Sequence, residues 1–217
     1  MASAWLAILR LLLRLPSSLT VLTCSFLAGL VLPSMATPAT TLGPGEGWVL
    51  RWALLSGLAG TMAAQIALSH KSKFLSFTLS AGAHRAVFVA GATSLSSLAM
   101  GSFLLGATLQ GHGPATLLPG SLGPVALAAT HLALLGLAAA LLRLGPAPSC
   151  GLLAALVWTG DRLSADAGVA RWVALIDVGS WLRPLDHADA WWIGLGTLCV
   201  WAILLWPQGA NRSSSPA

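Results

Sequence analysis

The side chains able to do chemistry in this chain are few and scattered. Of the five histidines His70, His84, His112, His131 and His187, only His131 falls in the middle of an apolar run. A membrane haem needs two facing imidazoles, so a solitary His131 reads as a hydrogen-bonded packing residue rather than a ligand. Asp186, His187 and Asp189 have metal-capable side chains, but the same spacing describes an exposed loop ending in an acidic helix cap, the preferred reading. Ser94, Ser96 and Ser97 lie one apolar run before His131, yet no elbow motif pairs a serine with it. The phosphate-cradling pattern G-x-x-x-x-G-K-[ST] is absent. Cys24, Cys150 and Cys199 all sit in apolar stretches, and an odd number of thiols there points to inert residues rather than a disulfide framework or zinc site. The residues therefore predict no catalytic group, no metal and no cofactor.

The elements that carry these residues follow from composition. Of 217 residues 56% are apolar and 8% charged. Soluble chains carry roughly 25% charged residues. The 11 Lys and Arg and 6 Asp and Glu are too few to cover one water-soluble domain of this length, so lipid is the expected solvent. Disorder is excluded by the same numbers. There are 10 Trp and no Tyr, and Trp favours the membrane–water interface. The formal charge of +5 would suit nucleic acid, but in a membrane chain a basic excess sets orientation, and no nucleic-acid partner is expected.

A membrane helix needs about 20 mainly apolar residues. Six candidate spans cover 17–35, 48–68, 86–109, 122–142, 147–160 and 190–206, the fifth short enough to be partly re-entrant. Pro33, Pro38, Gly43 to Gly45, Gly111 to Pro114 and Gly145 to Pro148 punctuate the gaps. With the N-terminus inside, Arg10, Arg14, Lys71, Lys73, Arg85, Arg143 and Arg212 are cytoplasmic, while all six acids fall outside with Arg51, Arg162, Arg171 and Arg183. That segregation obeys the positive-inside rule. Trp48, Trp52, Trp158, Trp191 and Trp192 lie at outer span ends, and Arg51 sits within snorkelling reach of the outer surface. The expected fold is an all-α polytopic membrane protein, one membrane domain over 1–217 with both termini cytoplasmic and a tail at 207–217.

Three stretches outside the spans are amphipathic. In residues 1–16, Ser3, Ala7, Arg10 and Arg14 share one helical face, which predicts an interfacial helix on the cytoplasmic surface ended by Pro16. The competing reading is a signal peptide, with Arg10 and Arg14 in its basic region, a core at Leu19–Leu32 and cleavage near Ser34-Met35-Ala36. Between spans two and three, Ser69–Arg85 carries Lys71, Lys73 and Arg85, with Phe74, Phe77 and Ala81 at i, i+3 and i+7. If helical, it lies parallel to the cytoplasmic surface, either as a docking element for a cytosolic partner or as a basic loop anchoring two spans. Outside, Asp161–Asp189 places Val169, Trp172, Val173 and Ile176 on one face, an amphipathic segment able to dip into the outer leaflet.

No Asp, Glu or Lys lies deep in a span, which argues against a proton- or ion-coupled carrier. Small and polar residues form two ladders instead: Gly57, Thr61 and Gln65 in span two, and Thr93, Ser97 and Gly101 in span three. Such ladders let helices approach closely and bond across the contact, so they read as packing seams. Gln65 is the best candidate for lining a polar path, since a buried carboxamide needs partners.

The order of parts resembles the membrane subunit of a type 2 ABC exporter, the compact six-span permease class, and the length is similar to its haem-exporter B permeases. An interfacial N-terminal helix, two spans, a cytoplasmic amphipathic segment, three spans, an outer re-entrant segment and a last span follow that class across almost the whole chain. The best local match is Phe74–Gly91, FLSFTLSAGAHRAVFVAG, which resembles the stretch entering span three, with Arg85 as its basic residue. Where that class carries acidic residues just before this stretch, this chain has His70, Lys71 and Lys73. The resemblance implies an inner-membrane, multi-pass permease with a substrate pathway formed by a homodimer or a similar chain. It also implies a separate ATPase beneath Lys71, Lys73, Phe74, Phe77 and Arg85, whose closing also moves the helix bearing Arg10 and Arg14. No charged ring lines the spans, so a lipidic or amphipathic cargo suits better than a small ion. Two other readings follow behind: a non-transport membrane anchor or assembly subunit, and an intramembrane enzyme that uses His131 or Ser97.

Overall fold

The computed structural model describes residues 10, 13–35, 47–78, 81–111, 122–142, 144, 147–152, 154–155, 195–196, 199 and 203. Among them every regular element is helical and no strand occurs. Four helices dominate: α1 (Pro16–Met35), α2 (Gly47–Thr78), α3 (Ala81–Leu109) and α4 (Leu122–Leu141). Residues 147–152 and 154–155 are helical as well, with Cys150 and Ala154 packed against the core.

The ends of these helices have local causes. Pro16 opens α1, where a missing N–H is harmless and the fixed φ suits a first turn. The carbonyl of Leu15 accepts from the N–H groups of Ser18 and Leu19, at 3.0 and 3.3 Å, so the turn closes onto the residue before the proline. Arg10 and Arg14 precede it, both exposed, joined by a helical bond from Arg14 N–H to the Arg10 carbonyl at 3.2 Å. At the far end of α3, Gly111 takes φ of 76°, a left-handed cap, and its N–H meets the Thr108 carbonyl at 2.9 Å.

Sequence reasoning ended span two at Leu68 and laid Ser69–Arg85 along the membrane surface. The helix boundary lies elsewhere in the structure. Helix α2 runs for 32 residues through to Thr78, and α3 has already begun at Ala81. The reason is local: between Gly60 and Gly82 there is no Gly or Pro, so nothing interrupts the backbone hydrogen bonds. Ala81 therefore belongs to the next helix, and the expected ridge of Phe74, Phe77 and Ala81 is not one helical face.

Two apolar clusters set the topology. One joins Val49, Leu54 and Leu58 of α2, Met100, Phe103 and Leu104 of α3, Val125 and Leu132 of α4, and Ala28 and Leu32 at the end of α1. The other joins Ala63 and Ala64, Phe88, Ala92 and Leu95, Ala133 and Leu137, and Val21 and Leu22 at the start of α1. Between the clusters residue numbers rise along α1 and α3 and fall along α2, and α4 falls with α2, so the helices run up, down, up, down. Helix α3 is the hub, packed against the other three. Leu95, Ala99, Met100 and Phe103 are fully enclosed along it. In α4 seven consecutive residues, His131–Leu137, are buried, which at 100° per residue covers every side of the helix.

The exterior is apolar too. Leu19, Leu27 and Val31 of α1 and Leu98, Leu105 and Leu109 of α3 are exposed, Leu109 at 65%. A water-soluble bundle puts polar side chains there. Two described helices are long and apolar enough to cross a membrane, Ala83–Leu109 and Gly123–Leu141, and α1 is apolar over the shorter stretch Pro16–Leu32.

Candidate functional site

The bundle is held by glycines at helix crossings. A Cβ on Gly57 would come within 2.7 Å of the Met100 side chain and 2.9 Å of Ser96 Oγ. One on Gly60 would come within 2.7 Å of the Leu95 carbonyl oxygen, so α2 and α3 meet nearly backbone to backbone. In α4, Gly136 lies under Thr61, whose Cγ2 would sit 2.8 Å from an added Cβ. Along α2 the small residues Ala53, Gly57, Gly60 and Ala64 follow at i, i+4, i+7 and i+11, one continuous face. The ladder read from the sequence as Gly57, Thr61 and Gln65 is buried at all three positions. Thr61 returns its hydroxyl to its own helix, donating to the Gly57 carbonyl at 3.2 Å.

The second ladder differs from its expectation. Thr93 and Ser97 are half-buried, but Gly101 is exposed and nothing lies within 4 Å of where its Cβ would be. The contact face of α3 is rotated from it: Ala92, Ala99 and Gly106 are buried at intervals of seven, with Ser96 and Phe103 between them. Helix α1 matches with Ser18, Leu22, Ser25, Gly29 and Leu32, at i, i+4, i+7, i+11 and i+14. Sequence reading missed this face, although small residues seven apart on both helices carried the signal. It had no way to rank Ala92–Ala99–Gly106 above Thr93–Ser97–Gly101, because both are sets of small residues at helical spacing on the same helix.

The two halves of the helical hairpin have a definite register. Gly57 faces Ser96 and Met100, and Gly60 faces Leu95 and Ser96, so α2 and α3 are antiparallel. Extending that register at one rise per residue brings Leu68 level with Ala86 and Val87, the places where the apolar runs of spans two and three stop. The backbone of Lys71 is then about level with Arg85, and Lys73, Phe74 and Phe77 follow toward the end of α2. Arg85 is half-buried and engaged with a neighbour. Trp172, Val173 and Ile176, the proposed outer segment, the end of span five and most of span six lie outside the described residues.

His131 is completely enclosed, and its Nδ1–H donates to the Leu127 carbonyl one turn earlier, at 2.9 Å. Ser94 donates to the Ala90 carbonyl at 2.7 Å. Among the described residues no group of three His, Cys, Asp or Glu is arranged to hold a metal ion, and Cys24, Cys150 and Cys199 are free thiols. The chemistry this region offers is hydrogen bonding by neutral groups in an apolar frame. No family model matches the chain, and neither does any curated protein or any solved structure.

Proposed function

We propose that the chain is the membrane-spanning permease subunit of an ATP-driven exporter. In this reading it crosses the inner membrane six times with both termini in the cytosol, pairs with a second copy or a similar chain, and is driven by a separate ATPase docked on the α2–α3 hairpin. The observation that carries it is the length of α2. Thirty-two residues make a helix of about 48 Å, while hydrocarbon spans only about 30 Å. The excess falls after Leu68, where the apolar run ends and Lys71 and Lys73 begin. A stiff helical lever that continues out of the bilayer transmits a push at its tip into the bundle, which a surface-parallel loop does less directly. Small-residue contacts between α2 and the other helices supply surfaces on which such a movement can slide.

The test has two parts. In a background without Cys24, Cys150 and Cys199, a cysteine at Lys71 should react with a membrane-impermeant maleimide only after the cell is permeabilised. In vesicles holding the permease and its ATPase, Phe74→Ala with Phe77→Ala should leave ATP hydrolysis running while export falls. Export that continues without the ATPase would sink the proposal. Loss of assembly alone, with no change in coupling, would favour a membrane anchor subunit instead.

A further inference from the structure

A hydroxyl in an apolar helix has a default partner, the carbonyl four residues back. Thr20, Thr61, Ser94, Thr108 and Thr130 all use it, at 2.7 to 3.2 Å. Ser18, Thr93 and Ser96 do not: their Oγ atoms are buried and no group of the protein bonds them, and the same holds for Gln65 Oε1. Ser18 and Ser96 are wholly enclosed, and Gln65 is 7% exposed. A buried polar atom without a bond forfeits its hydration with nothing in return, so four together call for an explanation.

The four share one height in the bundle. Gly29 meets Phe103 and Ala107, and Gly106 meets Phe26, Gly29 and Leu30. Carrying that parallel register back along α1 sets Ser18 between Thr93 and Ser96. The antiparallel register of α2 sets Gln65 less than a turn below Thr93. Three helices thus bring their unbonded polar atoms into a slice about 8 Å deep. Ala63, Ala64, Ala92 and Leu95 of the second apolar cluster lie in the same slice, with Val21 and Leu22 less than a turn beyond it.

We infer that α1, α2 and α3 enclose a binding site, at Ser18, Gln65, Thr93 and Ser96, for an uncharged amphipathic molecule bearing a hydroxyl or amide group. The chemistry selects this class. Gln65 Oε1 only accepts, so the ligand must present an O–H or N–H. The three hydroxyls both donate and accept, so a ligand oxygen is met as well. The buried side chains of this slice are neutral, Arg14 at its edge being exposed, and a charged ligand enclosed among them would lose its hydration with no buried counter-ion to replace it. The apolar residues of the slice suit an alkyl tail. The inference rests on the lipid setting of these helices and not on coupling to an ATPase, so the full chain is tested alone.

The probe is 1-dodecanol, with a diazirine-bearing dodecanol for photolabelling, on the full chain in phospholipid nanodiscs. Dodecanol is expected to raise the unfolding midpoint where dodecane and dodecyltrimethylammonium do not. Label should concentrate at residues 18–22, 61–65 and 88–96. Gln65→Leu combined with Ser96→Ala should raise the midpoint of the unliganded protein, because two unbonded polar atoms are removed, and should cut labelling about tenfold. Ser18→Ala, on a different helix, should move both readouts the same way, which separates loss of the site from loss of folding. Label spread over the lipid-facing Leu27 and Leu105, or equal competition by dodecane, overturns the site. So does a raised midpoint in the variants with no labelling to lose, which assigns these atoms to internal water only. A chain that does not enter nanodiscs overturns the site and the lipid setting together.

Discussion

Gly29 of α1 and Gly106 of α3 each lie against the backbone of the other's helix. A Cβ on Gly29 would overlap the Phe103 carbonyl oxygen, and one on Gly106 would come within 2.5 Å of the Phe26 carbonyl oxygen and 3.0 Å of the Gly29 carbonyl carbon. Neither neighbour is a side chain that can swing away. The approach is possible only because both residues lack a Cβ, and it lets the α1 backbone lie directly on the hub helix.

Alanine at either position should therefore force the helices apart. Gly29→Ala and Gly106→Ala are each expected to cost about 1–3 kcal/mol, as overpacking does in a tight contact. Gly101→Ala is the control on the same helix: its site is open, and alanine is the better helix former, so stability should hold or rise slightly. Thermal unfolding of the purified chain in one detergent compares all three. Equal effects at positions 101 and 106 would contradict the packing described.

Gly136 and Thr61 form a pair that can be measured as a pair. Gly136→Ala should destabilise by pushing a methyl against Thr61 Cγ2, 2.8 Å from the new Cβ. Thr61→Ser removes that methyl and keeps the hydroxyl that donates to Gly57. The double variant should recover most of the loss, giving a coupling energy of about 0.5–3 kcal/mol in a double-mutant cycle. Simple additivity would mean that α2 and α4 do not touch there.

Continuity of α2 is the basis of the lever. Ser72→Pro removes one backbone donor and clashes with the preceding turn, costing roughly 3 kcal/mol or more locally. Because the break lies beyond Leu68, insertion and the bundle should survive while coupling to ATP hydrolysis falls. Alanine at the same residue should leave both intact. Proteoliposome export, read beside ATP turnover, distinguishes a lost lever from a lost fold.

The remaining polar residues separate transport from catalysis. If the chain is an intramembrane enzyme, His131→Leu or Ser97→Ala should abolish turnover while folding survives. In the transport reading both variants keep export, with His131→Leu altering mainly stability, since the ring is fully enclosed and bonded to its own helix. Export assays on the two variants, normalised to protein in the membrane, decide between them.

Apolar run length determined, from sequence alone, that the described chain is helical. Pro16 and the 16–35, 81–109 and 122–141 helices follow the expected runs closely, because a helix satisfies its own backbone and needs only an unbroken run of residues. Charge and polarity mark where lipid ends, not where a helix ends, so the span boundary at Leu68 did not mark the end of α2 at Thr78. Gly and Pro are the strongest breaks in the backbone ladder, and neither occurs between Gly60 and Gly82. The contact faces belonged to tertiary structure. In a chain so rich in Ala, Gly and Ser several small-residue ladders fit each helix equally well, and about 140° around α3 separates a packed seam at Gly106 from an open surface at Gly101. Which rotation wins depends on van der Waals contact with the other helices, a sum over three neighbours that no single run of residues contains.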